Sequence, residues 1–371
     1  MADFNSDKID LFKDFSPSTK ENWENLALAD LGPEKDLSDI SWKLRGLGHI
    51  HPLYTRQEVD HGSTEPLPIN RKWALCEPVI DTNLADAISS IQKAANGGAD
   101  ACLISQNIPT RNEEDLLKLT AVAEKSNIRL IIEMDGTTDV TQIKTADSEL
   151  LTFLLDPYSD GSLVNKSTAT AETLFDVDGA AYCEKSASIP HQLAVSLSMA
   201  SEILLATELK GAESIQFRIK TSPLYFPEIA KIRALRILWH NLLDSYHLKN
   251  KPGVRIFSEI EQDPAAETPY NNLILSVSKA MCAVLGGADM ILIHPFDASL
   301  QFSRRITRNI QHILRDEAHF GKVADPAAGS YYIEKLTDEI AEKAWKIFGQ
   351  IENNSGFSSS LKNGLIPEEL T

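Results

Sequence analysis

Three histidines, His49, His51 and His61, form an H-x-H pair with a third imidazole nearby, a set that could ligate zinc or copper. Pro52, Pro66 and Pro68 punctuate this stretch, and no cysteine or carboxylate pair stands at ligand spacing. Those features favour packing of an extended segment over coordination. Arg304, Arg305 and Arg308 open an amphipathic pattern whose apolar residues are Ile306, Ile310 and Ile313, and Asp316 and Glu317 follow near its end. If the pattern is a helix, both charge groups oppose its dipole, each costing about 0.3–1 kcal/mol when exposed. The arginines therefore need partners, either carboxylates of another element or a bound phosphate. Cys76, Cys102, Cys183 and Cys282 are widely separated, and three lie in apolar runs, so they read as reduced, buried side chains. No Gly-x-Ser-x-Gly elbow supports a serine hydrolase.

The elements that would position these groups follow a repeated turn. Gly97-Gly98-Ala99-Asp100, Gly211-Ala212-Glu213 and Gly286-Gly287-Ala288-Asp289 each end a helical pattern and lead into a short apolar run. Further runs at Trp73–Glu77, Arg129–Met134, Leu150–Leu155, Gln192–Leu197 and Val254–Ser258 read as buried parallel strands. Between them, Ile229, Ile232, Leu235, Trp239, Leu242 and Tyr246 mark a helix whose Lys231, Arg233, Arg236 and His240 fall on the side expected to be wet. Eight such units predict a closed (β/α)8 barrel of the TIM type, with an N-terminal extended and helical arm. A doubly wound sheet is weakened by the lack of a glycine-rich phosphate loop after the first strand. The expected domains are an arm over 1–70, a barrel over 71–350 and a tail or linker over 351–371. The arm holds a helix at Thr19–Leu31 and the apolar Trp23, Trp42, Leu44 and Leu47, which need cover.

The 371 residues carry a net charge of −17, which argues against a nucleic-acid footprint. Hydrophobic residues make up 43%, ordinary for a globular protein, and no apolar run is long enough for a membrane span. The acidic start MADFNSDKIDLFKDF lacks the pattern of a signal or transit peptide, so a cytoplasmic setting is expected.

The segments LGGADMILIHPFDA, from Leu285, and FSRRITRNIQHILRDEAHFGKVADPAAGSYYIEKLTDEIAEKAW, from Phe302, resemble the barrel domain of the methylmalonyl-CoA mutase family. The resemblance is strong over Ser214–Gln350 and traceable back to Arg71. It implies an acyl-CoA-rearranging scaffold that works with adenosylcobalamin. It also marks departures. The family's W-T-I-R-Q-Y reads Trp73-Ala74-Leu75-Cys76-Glu77-Pro78, so the substrate-binding tyrosine is Pro78. S-G-Y-H-x-x-E reads Asp178-Gly179-Ala180-Ala181-Tyr182-Cys183-Glu184, which puts Ala180 and Ala181 in place of tyrosine and histidine. S-F-D-E reads Pro295-Phe296-Asp297-Ala298, and no arginine lies between Arg129 and Arg218 to hold a substrate carboxylate.

The resemblance therefore implies no catalytic residue here, Pro78, Ala180, Ala181 and Ala298 being degenerate, and no cofactor-binding or metal-binding residue. The D-x-H-x-x-G signature of the family's cobalamin domain is also missing from these residues. Two-chain members of the family pair a catalytic large chain with a related small chain that has lost its active site. This sequence fits the small chain, with adenosylcobalamin held by the partner. A truncated working mutase, and an unrelated barrel lyase or aldolase, are the alternatives. The apolar strands predict a barrel axis filled with side chains rather than open to CoA.

Overall fold

A computed structural model describes residues 18–59, 72–105, 113–134, 149–158, 173–184, 187–266, 268–297 and 301–366, with positions 14 and 16. Its centre is a closed barrel of eight parallel strands: β3 (Ala74–Val79), β4 (Ala101–Ile104), β5 (Arg129–Met134), β6 (Leu151–Leu155), β7 (Thr173–Val177), β8 (Ile215–Lys220), β9 (Ile256–Ile260) and β10 (Met290–Ile293). Neighbours in sequence are neighbours in space, and β10 pairs with β3, Met290 opposite Ala74, to close the ring. Around it lie α2 (Leu84–Asn96), α3 (Glu113–Ser126), α4 (Ile189–Ala206), α5 (Tyr225–Ser245), α6 (Pro269–Gly286) and α7 (Gln301–His312). Outside these, α8 (Tyr331–Asn353) packs across α4 and α5, and α9 (Gly356–Lys362) lies against α4 and α8.

The repeated Gly-Gly-Ala-Asp turn has a specific job. Gly98 (φ +86°) and Gly287 (φ +91°) take the left-handed conformation that ends α2 and α6. The aspartate that follows then ties down a neighbouring strand. Asp100 accepts the Leu75 N–H at 2.8 Å, and Asp289 accepts the Ile256 N–H at 2.9 Å. Each turn thus fixes the register of a β/α unit as well as ending its helix.

Strand alternation sorts the two sides of the barrel wall. Cys76, Leu103, Ile131, Leu154, Phe257 and Leu292 pack together inside, all nearly or fully buried. Leu75, Ile104, Ile132, Phe217 and Ile291 point the other way, into the layer between barrel and helices. The axis is filled with side chains, as is usual for this architecture.

Two expectations are corrected. Gln192–Leu197 is not a strand but part of α4, and the remaining strand is Thr173–Val177. Ser188 caps α4, Pro190 sits in its first turn, and Leu193 through Ser198 are buried on every side. A helix enclosed by barrel and outer helices needs no polar face, so its sequence loses the 3.6-residue period. The supposed wet side of α5 is the second correction. Lys231 and Arg233 are each 2% exposed, Arg233 because α8 covers it and Lys231 because it turns to the Lys220 carbonyl at the end of β8, and Arg236 is buried too. Buried charges need partners. Arg233 pairs with Asp325 and Glu334, Lys231 with Glu228, and Arg236 with Asp289. His240 alone of the four lies outside, beside Asp244.

The arm divides into two parts. Helix α1 (Lys20–Leu31), capped by Thr19, buries none of its residues and leaves Leu26 67% exposed. The hairpin of β1 (Trp42–Leu44) and β2 (Gly48–Ile50) instead docks on the chain's own barrel, with Leu44, Leu47, Ile50 and Tyr54 buried. Lys343 of α8 bonds the Leu47 carbonyl at 2.9 Å, and Tyr54 packs on Tyr332. At the other end, α9 begins inside the segment read as a tail. Its Phe357 is fully buried and meets Tyr158 edge-on at 4.6 Å. No helix among the described residues is long and apolar enough to cross a membrane.

Candidate functional site at the barrel mouth

Barrel enzymes of this type place their chemistry at the C-terminal ends of the strands. Here that end holds charged residues on four apolar strands: Glu133 on β5, Asp176 on β7, Arg218 and then Lys220 on β8, and Glu259 on β9. All share the inward parity of the axial side chains. Arg218 is the hub. Its Nε lies 2.7 Å from Asp176 Oδ2, its Nη2 2.8 Å from Glu133 Oε1, and its Nη1 3.2 Å from Glu259 Oε2. The guanidinium also lies over the Phe257 ring, 5.2 Å from the centroid. His294, just past β10, bonds the second oxygen of Glu259 at 2.7 Å.

One cation shared among three carboxylates leaves them unequal. Burial pushes Asp176 up to about 7, Arg218 only partly opposing it, with Asp178, Glu133 and Glu259 adding repulsion. Burial acts on Glu259 in the same direction, but the hydrogen bond from His294 and the charge of Arg218 outweigh it and hold this carboxyl at about 2. Burial opposes the charge on Arg218, and Asp176, Glu259 and Glu133 more than offset that, so its proton is held more tightly than usual.

Above the hub lies a cavity of about 360 Å³ whose walls include Asp156, Asp178, Ala181, Tyr182, Lys220 and Glu261. Asp178 caps a short 3-10 turn, Gly179–Tyr182, by accepting the Ala181 N–H at 3.1 Å. Tyr182 donates to Asp156 at 3.1 Å, and its ring packs on Phe357. Carboxylates outnumber cations among the described residues of this mouth. It is suited to holding itself together, and it is poorly suited to an anionic substrate.

The positions singled out in the sequence fall as follows. Ala181 lines the mouth, Ala180 sits beside it in the same turn, and Pro78 is on β3 with inward parity, opposite Leu103. Ala298 lies outside the described residues, as does His61. His49 is exposed on β2, and His51 packs edge-on against Tyr54. Arg304 reaches Asp81 and Ser90, and Arg308 reaches Glu77 at 2.6 Å, so intramolecular carboxylates hold two of the three arginines. All four cysteines are free thiols, and Cys76, Cys102 and Cys282 are buried. The Arg218 cluster was the feature sequence reasoning missed. Its signal was a charge near the end of each of four strand-like apolar runs.

Fold and site together define a closed parallel α/β barrel with a charge-locked mouth. The chain belongs to the methylmalonyl-CoA mutase family, whose model matches residues 170–371. It is 28% identical to the methylmalonyl-CoA mutase small subunit of Porphyromonas gingivalis, over 97% of this chain and 67% of that one. It is 34% identical to a small subunit from Streptomyces virginiae over 52% of this chain, and 32% identical to a methylmalonyl-CoA mutase of Cereibacter sphaeroides over 49%. The matches cover 33% and 28% of those two relatives, so the chain spans about two thirds of the first relative and a third or less of the others. A dihydropteroate synthase from Thermus thermophilus covers 66% of this chain and 95% of its own, at 11% identity and a TM-score of 0.37, too slight a likeness to bear on function.

The mutase family is generally cobalamin-dependent. The residues at this mouth do not fit a corrin. The imidazole bonded into the cluster, His294, is engaged by Glu259, and the walls carry carboxylates where a macrocycle would need an apolar face.

Proposed function

We propose that this chain is the small, non-catalytic subunit of a cobalamin-dependent methylmalonyl-CoA mutase. It stabilises a large catalytic chain in a cytoplasmic heterodimer, and the partner holds adenosylcobalamin. The observation that carries this reading is the state of Arg218. Where barrel enzymes bind substrate, its guanidinium is spent on Glu133, Asp176 and Glu259 of its own chain. The same carboxylates repel an acyl-CoA, whose phosphates and carboxylate are negative. The axis below is packed with Leu103, Ile131, Phe257 and Leu292, which supports the view that no pantetheine passes through it. At Pro78 and Ala181 there is no hydroxyl or imidazole to serve a substrate.

A surface for the partner is available in the arm. Leu26 at 67% and Trp42 at 39% exposure are apolar residues that the chain itself does not cover. On α6, Tyr270 and Ile274 are each 69% exposed. The test is sedimentation of the purified chain with a large mutase chain, alongside turnover assays. The reading expects a one-to-one complex and no conversion of methylmalonyl-CoA by this chain alone with adenosylcobalamin. Turnover by the isolated chain, or failure of the two chains to associate, would overturn it.

A further inference from the structure

A second cavity, of about 580 Å³, opens between α2, α7 and the C-terminal end of β3, where Pro78 and Val79 line it, and shares no residue with the cavity above the Arg218 cluster. Its size falls within the usual range for small-molecule sites. Four cations converge on it, Lys93 from α2 and Arg304, Arg305 and Arg308 from α7, in a chain whose net charge is −17. The acids in its walls are partly offset by neighbouring donors, Asp81 the least, since its buried Oδ2 has no hydrogen-bond partner among the described residues. Glu77 is held by Arg308 at 2.6 Å, Asp81 lies 3.6 Å from Arg304, and Asp86 accepts from Asn83 at 2.7 Å. Among the described residues, Lys93 and Arg305 have no ion-pair partner, and both are exposed. Arg304, its side chain 24% exposed, donates through Nη1 to Ser90 and can offer further donors of its fork to the cavity, whereas Arg308 is 14% exposed and held by Glu77.

Two further details sharpen the ligand class. Ser89 and Ser90 add hydroxyls to the α2 wall. At the lip stands Phe302, 50% exposed, with the Arg305 guanidinium 5.7 Å from its ring centroid. A flat apolar face next to an unneutralised cation suits a planar base attached to phosphate.

We propose that this cleft binds a nucleotide, with its diphosphate on Lys93, Arg304 and Arg305 and its base against Phe302. The cleft shares no lining residue with the cavity above Arg218, so it stands whether or not the chain is a non-catalytic subunit. Titration calorimetry of the full chain with ADP, and separately with inorganic pyrophosphate, tests it at low and at physiological salt. Expected are saturable ADP binding that weakens as salt rises, and a loss of about tenfold or more in Lys93→Ala and Arg305→Ala, as for a lost charge-assisted hydrogen bond. Both side chains are exposed, so these variants should keep the parent's circular dichroism and melting temperature. Phe302→Ala should weaken ADP several-fold and leave pyrophosphate unchanged. No saturation by millimolar ADP, or unchanged affinity in both charge variants, would overturn the site. Equal binding of ADP and pyrophosphate, indifferent to Phe302, would overturn its assignment to a nucleotide.

Discussion

Replacing Arg218 with methionine removes the cation that three inward-facing strand carboxylates share while keeping most of its volume. It leaves Glu133, Asp176 and Glu259, whose side chains are 23%, 11% and 9% exposed, facing one another at the end of a packed axis. Removing one partner of a buried ion pair costs about 3–5 kcal/mol, because the abandoned charge keeps its desolvation penalty. The variant can relieve this by taking up a proton. Its native state then binds more protons than its unfolded chain, so its stability rises as pH falls. Asp176 takes up a proton in the parent over the same interval, so the deficit closes through a further proton on Glu133 or Glu259, which at about 1.4 kcal/mol per pKa unit recovers up to roughly 3 kcal/mol between pH 7.5 and pH 5. Urea unfolding followed by circular dichroism, for parent and Arg218→Met at both pH values, gives the numbers directly. A large deficit at pH 7.5 that mostly closes at pH 5 is the expected pattern. A deficit under about 1 kcal/mol, as for a solvent-screened pair, would refute the role given to Arg218, and so would one indifferent to pH.

Within the intact cluster the carboxylates pull in opposite directions. Asp176, raised to about 7 by burial, contributes stability that is full below its unfolded value and is lost as pH rises through 7. Asp176→Asn should therefore flatten the fall in melting temperature between pH 5 and pH 8. Glu259, held near 2 against burial by His294 and Arg218, contributes stability above its unfolded value that is lost as pH drops toward 2. Glu259→Gln should make the acid limb of the same profile shallower. Phe357→Ala, at a fully buried ring, should cost about 3–5 kcal/mol in denaturant unfolding, which would show that α9 belongs to the cooperative fold. Deleting residues 1–35 should leave the melting temperature unchanged, since α1 buries nothing, yet weaken association with a large chain in sedimentation. Deletion through Asn70 should also destabilise the barrel, because Ile50 and Tyr54 are part of its covering.

The barrel was legible in the sequence because its turns are written out. Gly-Gly-Ala-Asp at 97–100 and 286–289 supplies both a left-handed helix end and a strand-tethering carboxylate, and local chemistry of that kind survives in a single chain. What was not legible depends on distant partners. The buried Lys231, Arg233 and Arg236 look solvated until their partners are placed, α8 and Asp325 around Arg233, the Lys220 carbonyl on Lys231 and Asp289 on Arg236. Leu193 to Ser198 lost its helical period because every side of α4 is enclosed. The Arg218 cluster draws its members from four strands, so no spacing rule links Glu133 to Glu259. The degenerate motif positions were visible only through resemblance, and the Arg218 geometry supplies an independent physical reason for expecting no substrate at this mouth.

The central claim, that this barrel supports chemistry it does not perform, is tested most directly by counting substrate sites in the assembled complex. Equilibrium binding of a non-reacting methylmalonyl-CoA analogue to a complex of this chain and a large mutase chain should saturate at one analogue per pair of chains. Two sites per pair, with the second abolished by blocking this chain's mouth, would contradict the account.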